Sequence, residues 1–92
     1  MELQVITPGD KVAKGEDYTV EVRVKKGHPS KGTIVYRFAD SGEEEERLAK
    51  RSDSEFAYQF QRVADSFQFY VMAGDYRSDT YHVQALTPPR ID

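Results

Sequence analysis

Two histidines, a run of four glutamates and a complete lack of cysteine delimit the chemistry open to this 92-residue chain. His28 stands in the Gly/Pro segment Lys26-Gly27-His28-Pro29-Ser30-Lys31-Gly32, and His82 stands in an alternating segment near the end. Neither is set among ligands at the spacing a zinc or transition-metal site requires. The glutamates Glu43 to Glu46, with Asp40 before them, offer oxygens for calcium. Consecutive carboxylates on an extended strand point to alternate faces, however, and cannot converge on one ion, so the run reads as a solubilising, anti-aggregation edge. Asp75 and Asp79 flank a turn signal and could share a cation between domains, but two oxygens alone do not define a site. Serine, threonine and histidine occur without a Gly-flanked nucleophile elbow, and a carboxylate pair would need a cleft that a small sandwich rarely provides. The expectation is therefore no enzyme: no catalytic residue, no cofactor and no metal ligand. Sugar binding is the alternative, by stacking on exposed rings. Tryptophan is absent, which leaves Tyr70 and Tyr76 as platforms, since Tyr18, Tyr36, Tyr58 and Tyr81 are explained more economically as core.

Composition narrows the partners. A net charge of −3 and a pI near 5.4 oppose general attraction to nucleic acid or an anionic membrane. Basic residues crowd the first part (Lys11, Lys14, Arg23, Lys25, Lys26, Lys31, Arg37) and acidic ones the middle (Asp40, Glu43 to Glu46, Asp53, Glu55). Because a sandwich brings distant strands together, the asymmetry predicts mixed surface charge rather than a binding face. No apolar run approaches about 18 residues and no charged-then-apolar leader follows Met1, so neither a membrane span nor a secretory signal is expected in this segment. The mean hydropathy of −0.72 is low for a folded domain, yet aromatic residues make up 12% and recur at alternating positions, which argues for a folded chain. A domain this small buries about 60 to 65% of its unfolded surface and has roughly 5 to 8 kcal/mol of stability.

The elements that must position any site are strands. Phe67, Phe69, Val71 and Ala73 alternate with Gln68, Tyr70 and Met72 before Gly74-Asp75, and Tyr18, Val20, Val22 and Val24 alternate with Thr19, Glu21, Arg23 and Lys25. Leu3 to Thr7 reads as a first strand closed by Pro8-Gly9-Asp10, with Val12 as a short apolar touch. Ile34, Tyr36 and Phe38 define a third strand's inner face, Phe56, Tyr58 and Phe60 another, and Tyr81, Val83 and Ala85 the closing one. Glu43 to Lys50 is made of helix formers, but a helix there would bury only Leu48 and Ala49 and would be marginal, so a solvated edge strand or irregular connection is expected. No helix is available to cover a sheet, and each sheet needs an apolar partner face. The prediction is an all-β, immunoglobulin-like antiparallel β-sandwich of about seven strands over residues 1–86, with Phe69 at the centre of its core. Residues 87–92, with Pro88-Pro89, read as a stiff linker to a following domain.

The opening Val5 to Pro8-Gly9-Asp10, the Lys14-Gly15 turn, Val35-Tyr36-Arg37-Phe38, and Phe67 to Asp75 followed by Ser78 and Tyr81 resemble the immunoglobulin-like and fibronectin type III superfamily. They are most similar to the modules of large, membrane-anchored bacterial proteins of unassigned activity. The chain departs from fibronectin-type modules in carrying Phe67 where they place a corner tyrosine, and from antibody domains in lacking two cysteines and a tryptophan. The resemblance implies a non-catalytic spacer or presentation module of a larger protein, extracytoplasmic, whose partners are neighbouring domains or another protein. If a partner docks, the strand Phe67 to Ala73 in mid-sheet would present Tyr70 and Met72 beside Val35, Arg37 and His82, with Arg37 able to lie over the Tyr70 ring.

Overall fold

The computed structural model describes residues 2–27, 31–39, 41–74 and 76–87; His28, Asp40, Asp75 and the Pro88-Pro89 tail considered above lie outside them. The described residues form ten short strands and no helix: β1 (Glu2–Ile6), β2 (Lys11–Ala13), β3 (Tyr18–Lys26), β4 (Gly32–Phe38), β5 (Glu43–Arg47), β6 (Ala49–Ser52), β7 (Glu55–Phe60), β8 (Phe67–Ala73), β9 (Tyr76–Arg77) and β10 (Tyr81–Leu86). One sheet has the order β1-β3-β7-β6. The other has the order β2-β10-β8-β4-β5, with β9 also paired to β8. The fold is an all-β sandwich. Its count exceeds seven because the segments around Val12 and Tyr76 pair as strands and the stretch 43–52 divides into two. One pairing departs from an antiparallel scheme: β2 runs parallel to β10, Gln84 to Leu86 opposite Lys11 to Ala13.

The division of 43–52 has a physical cause. All residues of β5 and β6 are exposed, but Leu48 between them is buried, and its amide donates to the Gly32 carbonyl at 2.9 Å. The chain leaves one sheet at Arg47 and enters the other at Ala49, so the lone leucine of a charged run plugs the side of the sandwich. Gly32 makes room for it: a Cβ there would lie 2.8 Å from Leu48 Cδ1. A similar crossing joins β1 to β2 on the opposite side. Gly9 turns the chain there with φ of 138°, and the buried Tyr18 hydroxyl donates to the Gly9 carbonyl. Burial pushes the Tyr18 phenol above its ordinary pKa.

The inner faces meet in an aromatic core. Phe69 is fully buried, stacked on Tyr81 at 5.3 Å, but Phe60 is the ring that joins the sheets: Tyr18, Tyr36, Phe38, Tyr58, Phe67 and Phe69 all surround it, at 4.6 Å for Phe67. Tyr58 and Tyr81, expected in the core, are half-buried and pack against its rim, while Leu3, Leu48 and Val63 belong to the core as well. Val63 closes one pole. Its amide donates to the Glu16 carbonyl and its carbonyl accepts from Gly15, which clamps the β7–β8 loop to the β2–β3 turn. Beside it Arg62 adopts φ of 49°, held where its amide donates to Asp17 Oδ1 at 3.0 Å.

β9 and β10 are one strand interrupted by a bulge. Ser78 pairs with Val71 and Tyr81 pairs with Phe69, so three steps on one strand face two on the other. Ser78 is buried; its Oγ accepts from the Val71 amide at 2.9 Å and donates to the Asp79 carbonyl at 2.9 Å.

Candidate functional site

β8 lies between β4 and β10, as its double-faced apolar pattern predicts, and sends Gln68, Tyr70 and Met72 outward from the larger sheet. Register then decides what each meets. Gln68 is opposite Arg37 on one side and His82 on the other, forming one polar rung across three strands. Tyr70 is opposite Val35, and Met72 is opposite Thr33 and Arg77. The five residues expected to share a docking patch therefore divide. Arg37 and His82 come together at one end of the sheet, and Val35, Tyr70 and Met72 follow farther along.

The second group is a weak apolar surface. Val35 is 4% exposed and Tyr70 and Met72 are half-buried. The guanidinium over Tyr70 is that of Arg77, with Cζ 4.1 Å from the ring centroid, and not that of Arg37. The reason is register: Arg37 stands a full rung away, opposite Gln68, whereas β9 carries Arg77 alongside Met72, diagonal to Tyr70. Such a contact contributes about 0.5 to 1 kcal/mol at an exposed site. Tyr76, the other candidate sugar platform, packs against the core cluster.

The first group lines a groove. Arg37, Gln68 and His82 form its floor with Gln84, and Asp10 and Ser66 stand at its sides, around a volume of about 580 Å³. The crossing between β1 and β2 brings Asp10 here, its carbonyl accepting from the Gln84 amide at 2.8 Å. Ser66 Oγ accepts from the Ala85 amide at 2.9 Å, and the residue borders the groove. Phe38, half-buried, borders both this groove and a second cavity of about 380 Å³ lined by Ser41, Arg62, Ala64 and Asp65. The outward position of Gln68 and Gln84 is readable from alternation with apolar neighbours; the approach of Asp10 and Ser66 has no local signal.

Ionisable groups elsewhere serve the fold. The Tyr36 hydroxyl donates to Glu44 Oε2 at 3.0 Å and pins the edge strand β5; burial first, then Tyr58 and Glu44 beside it, push its phenol well above the ordinary range. Glu43 to Glu46 alternate along β5 and are all exposed. Among the described residues, no three His, Cys, Asp or Glu side chains are grouped to hold a metal ion.

This architecture and site define a class, the small all-β sandwich with a polar groove over its central strands. No protein-family model matches the chain, and no curated protein matches it either. Twenty-three chains of solved structures are similar in fold. One comes from the structure described as "Structural basis of T cell specificity and activation by the bacterial superantigen toxic shock syndrome toxin-1". It shares 9% identity with a TM-score of 0.62, over 92% of this chain and 100% of that one, a likeness of fold alone.

Proposed function

We propose that this chain is an immunoglobulin-like, non-catalytic spacer or presentation module of a larger, extracytoplasmic bacterial protein. The observation that carries the reading is polarity. β1 begins at Glu2 opposite Lys26, at the far end of β3, whereas β10 ends at Leu86 beside Ala13, with the Lys14 amide on the Leu86 carbonyl near the start of β3. The first and last described strands thus leave from opposite poles, the geometry that lets modules be strung end to end. The strand orders support the immunoglobulin-like part of the reading: β1-β3-β7-β6 corresponds to the A, B, E and D strands of such sandwiches, and β10-β8-β4-β5 to G, F, C and C′. In antibody domains a disulfide joins strands B and F. Here Tyr18 on β3 meets Phe67 on β8 edge-on at 5.6 Å, so an aromatic contact bridges the corresponding strands.

The test is a tandem of two copies joined through their own ends and measured by small-angle scattering. The expected particle is extended, with a maximum dimension close to twice that of a single copy. A tandem no longer than one copy, folded back on itself, would remove the spacer reading.

A further inference from the structure

We propose that the groove over β4, β8 and β10 binds a carboxylate-bearing oligosaccharide, with Arg37 taking the carboxylate. This goes beyond the spacer role and does not depend on it.

The argument begins with what the groove cannot do. It lies over the central strands at one end of their sheet, where β4 is paired to β8 as far as Phe38↔Phe67 and β8 to β10 from Tyr81↔Phe69 to Val83↔Phe67. Its backbone is occupied by the ladders, so a peptide cannot add as another strand. Recognition must come from side chains. Half of the lining residues bear planar or forked polar groups, all of them on exposed residues: the Arg37 guanidinium, the Gln68 and Gln84 amides, the His82 imidazole and the Asp10 carboxylate. Each amide offers donors and an acceptor, the pattern that matches vicinal hydroxyls, and Asp10 supplies one further acceptor.

The lining carries both signs, Arg37 and Asp10, so a ligand carboxylate is assigned to Arg37 by group geometry and not by net charge. Arg37 and His82 flank Gln68 on one rung, and Glu43 of β5 stands opposite Arg37 on its other side; the floor thus presents a guanidinium fork, which can take a ligand carboxylate bidentately in competition with Glu43, and an imidazole able to donate alongside it. Asp10 lies toward β2, where it would accept from a hydroxyl of the adjoining sugar. The volume of about 580 Å³ suits more than one sugar ring.

The experiment follows amide and side-chain signals of the labelled protein during titration with a uronic-acid trisaccharide, the same trisaccharide with its carboxyls reduced to alcohols, and triglutamate. The expected result is saturable movement of Arg37, Ser66, Gln68, His82 and Gln84 signals with the uronate. The reduced sugar should bind about tenfold or more weakly, the loss expected for one charge-assisted pair. Arg37→Gln should weaken the uronate similarly with the fold intact by circular dichroism. If that variant does not fold, Gln68→Ala, on the same exposed floor, takes its place with the same expectation. No movement up to about 10 mM, where even millimolar affinity is visible, overturns the proposal. So does equal binding of the reduced sugar, equal binding of triglutamate, or movement confined to Tyr70, Met72 and Tyr76.

Discussion

Replacing Ser78 with alanine tests the bulge on which the last strand depends. Val71 is fully buried, and its amide has the Ser78 hydroxyl as partner at 2.9 Å. Alanine removes that acceptor without opening a path for water, so a buried donor is left unpaired at a cost of about 1 to 3 kcal/mol. The second bond, from Ser78 Oγ to the Asp79 carbonyl, adds little, because Asp79 is exposed and water replaces the donor. The Ser78 amide still donates to the Val71 carbonyl at 2.8 Å, so the pairing itself survives. For a domain of this size the loss corresponds to a fall in Tm of about 4 to 24 °C. Urea denaturation should show a lower midpoint with an unchanged slope, and the Val71 amide should exchange faster with solvent. Asp79→Ala is the control, expected within about 0.5 kcal/mol of the parent because only the backbone of Asp79 takes part. A Ser78→Ala protein with the parent's midpoint and a protected Val71 amide would refute the reasoning.

Two further outcomes follow from the packing. Gly32→Ala places a methyl against Leu48 Cδ1 and should cost about 1 to 3 kcal/mol; with Leu48→Ala in the same chain the clash disappears, so denaturation should show the pair losing less than the sum of the single variants, by at least about 0.5 kcal/mol. Tyr18, Tyr36 and Tyr81 all have phenols raised from 10.0, chiefly by burial, so the unfolded chain releases these protons first and stability should fall as pH rises above 10. Chemical denaturation across that range should show a shallower fall for Tyr36→Phe; an identical slope would show that Tyr36 is not held neutral.

What was legible in the sequence was whatever depends on period two. The faces of Phe67 to Ala73 and Tyr18 to Val24 follow from alternation alone, because each residue's side is set by its immediate neighbours. Phe60 follows the same rule, yet its place as the ring between the sheets depends on which strands face each other, information that local pattern does not contain. Leu48 misleads for a related reason. In a run of Glu, Arg and Lys its surroundings describe an edge, and it is buried because the chain changes sheets there. Ser78 enters the family resemblance, but its burial has no signal in the local pattern, since a bulge alone makes a serine hydroxyl the partner of a core amide.

The candidate site divides along the same line. Arg37, Tyr70, Met72 and His82 are all on the outer face where alternation puts them, but grouping them required register, and a shift of one rung moves the guanidinium over Tyr70 from Arg37 to Arg77. Register also explains why the groove, and not an edge, is the place for a ligand. One continuous segment, 43–52, supplies β5 and β6 at one side of both sheets, and another, 2–13, supplies β1 and β2 at the other. The first edge is charged throughout by Glu43 to Glu46, Arg47, Lys50 and Arg51, and the second carries Lys11 and Lys14, so strand addition is opposed on both sides. The central strands are left to do the recognising. β10 contributes His82 and Gln84 to the groove and then ends at that same pole, so a ligand held there would also brace the last described strand.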